Sequence, residues 1–89
     1  MKVERSTVIR NRLGLHARPA AALVKVAGKF SCEISLGKDG NWVNGKSIMG
    51  VMTLAAEFGS TVLVRTEGDD AEQAAEALVQ ILSRELVEQ

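Results

Sequence analysis

The chain has 89 residues, of which 46% are hydrophobic and 25% charged, and its formal net charge at pH 7 is zero. This balance predicts one globular domain over residues 1–89 and excludes a disordered chain or a collagen-like repeat. Charge neutrality also excludes a sequence-wide basic field of the kind that holds nucleic acid, so no nucleic-acid partner is expected.

The first predicted elements are a strand and a helix. Val3–Ile9 carries β-branched residues in loose alternation and predicts a strand. Ala17–Ala27 has apolar residues at the spacing of one helix face, and Gly28 suits the end of that helix. Because proline clashes in helix interiors, Pro19 must lie in the first turn, which places His16 at or beside the N-cap.

A β-hairpin and a second helix follow. Cys32–Leu36 alternates apolar with polar residues and predicts a half-buried strand, which a glycine-containing turn joins to a short strand at Trp42–Asn44. A second helix is predicted from Ser47, with Gly59 where a C-cap glycine belongs. Its buried face is predicted to consist of Val51, Leu54, Ala55 and Phe58.

The last part of the chain predicts a strand and a third helix. Ser60–Glu67 alternates and predicts a fourth strand. Asp69 and Glu72 resemble a capping box, and the helix that they begin is predicted to reach Leu86. The order β-α-β-β-α-β-α favours an α+β fold in two layers, one sheet with the helices packed on one face and the other face open to solvent.

The segment 14–20 brings the only histidine together with an arginine and a helix start. Unpaired backbone donors and the helix dipole stabilise an anion there, and the Arg18 guanidinium suits phosphate oxygens. An unprotonated nitrogen of His16 could accept a phosphoryl group and pass it on. The residues alone indicate an anion site, and a histidine that serves only as a polar cap remains the alternative.

Other chemistry is sparse. One histidine and one cysteine without HExxH or CxxC spacing predict no metal site, and no cofactor is expected. Cys32 cannot close an intramolecular disulfide, and no apolar run suits a signal peptide or membrane insertion, which favours the cytoplasm. Nor does a long exposed apolar face require a symmetric partner, so a monomer is predicted.

The segment 14–20 strongly resembles the active centre of the HPr family, the histidine-containing phosphocarriers of the bacterial phosphoenolpyruvate-dependent phosphotransferase system. Residues 46–52, Lys-Ser-Ile-Met-Gly-Val-Met, resemble the family's regulatory-serine segment. The resemblance implies an antiparallel sheet of order 1-4-2-3 and a carrier that is not itself an enzyme. It also implies that His16 accepts phosphate on Nδ1 from Enzyme I and passes it to IIA domains, assisted by Arg18, and that an HPr kinase/phosphorylase modifies Ser47.

A partner-binding patch is expected beside these two segments. Once the core face of the second helix is assigned, three apolar residues remain on it, and methionines are common on surfaces that adapt to several partners. The expected patch, which the family resemblance assigns to Enzyme I and IIA domains, consists of Ala17, Ala21, Ile48, Met49 and Met52.

Several alternatives remain open at this stage. Ser47 is also a favoured helix N-cap, and both roles can hold together. Residues 11–14 look like the nitrogen-related branch of the family, called NPr, whereas residues 46–52 look like carriers regulated by the serine kinase. A carrier modified on serine, as acyl carriers are, is disfavoured because those are helical and acidic. A regulatory binding module without chemistry is the remaining alternative.

Overall fold

The computed structural model describes residues 1–84, in which four strands and three helices follow one another in the predicted order. The elements are β1 (Lys2–Val8), α1 (Ala17–Ala27), β2 (Glu33–Lys38), β3 (Asn41–Asn44), α2 (Ile48–Thr53), β4 (Thr61–Glu67) and α3 (Ala71–Leu82). The ends of the strands differ from the predicted ends by at most two residues. The predicted helix end at Leu86 lies outside the described residues; α3 ends at Leu82, with Ser83 as its C-cap.

The four strands form one sheet in the order β1-β4-β2-β3, and every neighbouring pair is antiparallel. In the central pair, Leu36 of β2 lies opposite Val64 of β4, and both side chains are fully buried. This architecture confirms the two-layer α+β fold and the order 1-4-2-3.

The three helices cover one face of the sheet and leave the other open. Leu23 of α1, Val51 of α2 and Leu78 of α3 are fully buried against the strand residues of that face. Burial of each such side chain stabilises the fold by roughly 1.5–3 kcal/mol. On the open face, Arg65 forms a 2.9 Å ion pair with Glu4.

The second helix is shorter than its apolar pattern predicts. α2 ends at Thr53, whereas the prediction carried it to Phe58 with Gly59 as the C-cap. Ala55 already has a left-handed backbone conformation (φ 53°), which is the conformation that commonly follows the last residue of a helix. The predicted end of this helix is therefore wrong by about one and a half turns.

Contacts from other parts of the chain hold the segment that follows α2 in a non-helical course. The N–H of Leu15 donates to the carbonyl of Ala56 at 2.8 Å, and the Lys38 ammonium donates to the carbonyl of Ala55 at 3.1 Å. These bonds fasten Ala55 and Ala56 to the loop before α1 and to the end of β2. As a consequence Ala55 and Phe58 are exposed and Ala56 is buried, which corrects the predicted core face.

The start of α3 also differs from the prediction. The N-cap residue is Asp70, its side chain makes no capping hydrogen bond, and the expected capping box of Asp69 and Glu72 does not form. The Asp70 carboxylate instead accepts hydrogen bonds from the N–H groups of Ser31 (2.8 Å) and Cys32 (2.9 Å). These bonds join the start of α3 to the residues immediately before β2.

Asp70→Asn is expected to lower the unfolding temperature at pH 7 and to have a smaller effect at pH 3. The Ser31 N–H is the main cause that lowers the pKa of Asp70 below its ordinary value of 3.8. Because the folded state favours the ionised carboxylate, this contribution is complete above about pH 4 and disappears as pH falls through the lowered pKa. Thermal unfolding of both chains at the two pH values measures it. A gap that is equally large at pH 3 would contradict the assignment.

Candidate functional site

The loop before α1 is held by its own residues. The side-chain amide of Asn11, which is buried, donates to the carbonyl of Gly14 at 2.8 Å, and the N–H of Gly14 donates back to the carbonyl of Asn11 at 2.9 Å. Gly14 has a positive φ of 72°, a conformation that glycine adopts without strain. The loop therefore closes as a compact turn that leads directly into His16.

A second contact fastens this turn to the segment after α2. The N–H of Leu15 donates to the carbonyl of Ala56, and a Cβ atom placed on Gly14 would lie 2.5 Å from the same oxygen. The two backbones therefore approach too closely for any side chain at position 14. The exit of α2 thus fixes the position of the chain immediately before His16.

His16 is the N-cap of α1, as Pro19 predicted. Its backbone is extended (φ −87°, ψ −169°), and its carbonyl accepts the first helical hydrogen bond from the N–H of Ala20 at 3.0 Å. The side chain as a whole is half-buried, and its Nε2 atom is enclosed by protein. A group entering from solvent therefore has no direct access to Nε2.

The first turn of α1 suits an anion. It contains no acidic residue, and Pro19 has no N–H, so the donors of this turn are the N–H groups of Ala17 and Arg18. Pro19 is buried, whereas Ala17 and Arg18 are exposed. The guanidinium of Arg18 is therefore on the solvent side of the helix start that follows His16.

Ser47 is the N-cap of α2. Its Oγ accepts a hydrogen bond from the N–H of Gly50 at 3.1 Å, and the residue is half-buried. This bond confirms the capping role that the sequence left as one of two interpretations. Regulation through Ser47 stays a prediction.

The expected partner patch is exposed. Met49 is 75% exposed, and Ile48 and Met52 are 44% and 41% exposed. Ala17 and Ala21 are exposed on α1, which packs against α2. The fold therefore brings the two halves of the patch onto adjacent helices, and their role in binding stays a prediction.

Asn11 and Ala56 support the site and were not identified from the sequence. Asn11 had a local signal, since an asparagine shortly before a glycine commonly closes a turn with its side chain. The contact through Ala56 joins positions 41 residues apart and had no such signal. Among residues 1–84, no cluster of His, Cys, Asp and Glu could hold a metal ion, and no helix is long and apolar enough to cross a membrane.

Comparisons with known proteins agree on one family. The family model PTS-HPr, described as the PTS HPr component phosphorylation site, matches residues 3–84. Phosphocarrier protein HPr of Cupriavidus necator is 46% identical over 81 residues, which cover 91% of each chain. The crystal structure of HPr from Bacillus anthracis superimposes with a TM-score of 0.88 at 46% identity, covering 91% of this chain and 96% of that one.

A related regulator is also similar. Crh, a catabolite repression protein of Bacillus subtilis, is 40% identical, and its crystal structure superimposes with a TM-score of 0.77, covering 97% of this chain and 99% of that one. That structure is a dimer with a swapped domain.

Proposed function

The chain belongs to the HPr family of phosphocarrier proteins, and on that basis we propose that it carries a phosphoryl group on His16 from Enzyme I to a IIA domain in the cytoplasm. The observation that carries the proposal is the position of His16 as the N-cap of a helix whose first turn contains no acid. The sequence left open a carrier in which a serine holds the cargo, as in acyl carriers. Membership of the HPr family does not support that alternative.

Phosphoryl transfer needs one nucleophile and a set of donors that stabilises the negative charge on the phosphoryl oxygens. The Nδ1 lone pair of His16 attacks phosphorus while the bond between phosphorus and the donor breaks, and the same exchange in reverse delivers the group to the acceptor. The enclosed Nε2 favours attack through Nδ1. The N–H groups at the start of α1 and the Arg18 guanidinium stabilise the phosphoryl oxygens.

The test is incubation with Enzyme I, magnesium and phosphoenolpyruvate, followed by intact mass analysis without acid. One phosphoryl group, lost on mild acid treatment and located on His16 by fragmentation, is the expected result. No phosphate, with an active Enzyme I and a verified fold, would contradict the proposal.

Ser47→Asp is expected to slow transfer from Enzyme I about tenfold without unfolding the chain. A negative charge at the start of α2 resembles a phosphate on Ser47 and repels an acidic partner surface. Ser6→Asp adds the same charge on the open face of the sheet and serves as the control. Initial rates measure the effect; equal rates for Ser47→Asp and Ser6→Asp would contradict regulation by charge at this position.

Met49→Glu is expected to raise the KM for Enzyme I about tenfold, since it places a charge at the most exposed large apolar residue of the patch. Met49→Leu keeps an apolar side chain of similar size and should transfer normally. Stopped assays over a range of Enzyme I concentrations separate KM from kcat. An unchanged KM for Met49→Glu would remove this residue from the docking surface.

A regulatory module that resembles Crh is the second candidate, favoured by the similarity to that protein over almost the whole chain. In that case binding to partners would survive the loss of His16, and size-exclusion chromatography would show a dimer instead of the monomer that we propose. The choice between the sugar and nitrogen-related branches depends on which IIA domain removes the phosphoryl group fastest.

A further inference from the structure

A cleft of about 310 Å³ lies beside the loop that leads to His16 and is not used in the proposed transfer. It is lined by Val8, Ile9, Arg10, Arg12, Phe58 and Gly59. Arg12 belongs to the same loop as Gly14, and Phe58 belongs to the segment that holds that loop in place. A partner bound in the cleft would therefore lie next to the site loop.

Two large apolar side chains that line the cleft are exposed to solvent. Phe58 is 61% exposed and Val8 is 43% exposed. The early end of α2 places Phe58 outside the core that its sequence pattern predicted. Two large apolar side chains at one cleft provide a binding surface for a single apolar side chain of a partner.

The charged side chains that line the cleft, among the described residues, are both positive. Arg10 and Arg12 are exposed, and none of the described residues that line the cleft is acidic. Among residues 1–84, neither guanidinium forms a side-chain hydrogen bond or an ion pair, whereas Arg5 is paired with Glu72 and Arg65 with Glu4. Two unpaired guanidinium groups beside an apolar surface are complementary to carboxylates, which they can bind in a bidentate manner.

The walls of the cleft are preformed. The N–H of Gly59 donates to the carbonyl of Ile9 at 2.9 Å, and the N–H of Ile9 donates to the carbonyl of Ser60 at 2.9 Å. Because these backbone groups of Ile9 are already bonded, a ligand cannot pair with them as an added strand. The proposed recognition uses the side chains of the cleft.

We propose that this cleft docks an acidic segment of a protein partner, with one apolar side chain against Phe58 and Val8 and flanking carboxylates on Arg10 and Arg12. An acidic partner is complementary in charge, because the lining that residues 1–84 provide contains two unpaired cations and no anion. Nucleic acid is the less favoured ligand, because the chain as a whole has no net positive charge. Docking in this cleft does not require phosphoryl transfer.

The test follows backbone amide shifts of the nitrogen-15-labelled chain during titration with acetyl-Glu-Glu-Leu-Glu-Glu-amide. Saturable shifts centred on Arg10, Arg12 and Gly59 are expected. The analogue with four glutamines and the analogue with serine in place of leucine should each bind at least about threefold more weakly. Equal binding of either analogue, or no shift in this region, would overturn the proposal.

Charge-reversal variants test whether the two arginines bind the acidic peptide. Arg10→Glu and Arg12→Glu should each weaken the acidic peptide about tenfold. Lys29→Glu makes the same change in charge beyond the far end of α1 and should change affinity less than twofold. If a reversed charge prevents folding, Arg10→Gln and Arg12→Gln remove the same contacts. Undiminished affinity in folded arginine variants, or tighter binding of a ten-nucleotide oligothymidine at the same amides, would overturn the proposal.

Discussion

His16→Ala is expected to take up no phosphoryl group under conditions that fully convert the wild-type chain, a decrease in rate of at least about 10³-fold. His16 is the only imidazole in the sequence, so no neighbouring group can replace the lost nucleophile. The fold should persist, because the part of His16 that begins α1 is its main-chain carbonyl, bonded to the N–H of Ala20. Intact mass analysis without acid measures the uptake.

Arg18→Ala is the comparison variant, for which a partial loss of transfer rate is expected. The guanidinium is expected to stabilise the phosphoryl oxygens without forming the bond to phosphorus, so this variant should slow transfer about 10-fold to 100-fold and still reach full occupancy. Circular dichroism should be unchanged in both variants. Acid-labile phosphate that persists in His16→Ala would place the acceptor elsewhere in the chain. Complete loss in Arg18→Ala would mean that Arg18 does more than stabilise charge.

Local pattern was sufficient for most of the fold. Alternation across Cys32–Leu36 predicted a strand whose residues 32, 34 and 36 are indeed buried, and Pro19 predicted that His16 lies at or beside the N-cap of α1, which it forms. Both signals depend on neighbours within a few positions, where side-chain direction and backbone sterics decide the conformation. The order of the strands came only from resemblance to the HPr family, because pattern carries no information on which strands pair.

The errors occur where distant residues compete with local pattern. Phe58 continues the helical spacing of Val51 and Leu54, yet α2 ends at Thr53, and the bond from Leu15 to the carbonyl of Ala56 holds the segment that contains Phe58. Asp70 is beside a favourable capping pattern but binds the backbone immediately before β2 instead. The exposed Phe58 and the held loop before His16 both follow from these long-range contacts, so the geometry of the site could not be predicted from periodicity.

The second large effect is expected for Gly14→Ala, which should destabilise the fold by about 3 kcal/mol and slow phosphoryl transfer as well. A left-handed conformation costs a residue with a Cβ about 1–2 kcal/mol, and overpacking adds about 1–3 kcal/mol. Here the added Cβ would meet backbone, the carbonyl oxygen of Ala56 at 2.5 Å, and backbone cannot rotate away as a flexible side chain can.

Gly40→Ala separates the two causes. Gly40 also has a positive φ, of 82°, but a Cβ there would have nothing within 4 Å, so this variant should lose only the conformational term, about 1 kcal/mol. Urea unfolding measures the loss of stability in each variant. Initial rates, taken under conditions where both variants remain folded, measure phosphoryl transfer. If Gly14→Ala transfers as fast as Gly40→Ala, the close approach to Ala56 serves stability alone. A selective loss of rate would show that the exit of α2 also positions His16 for the reaction.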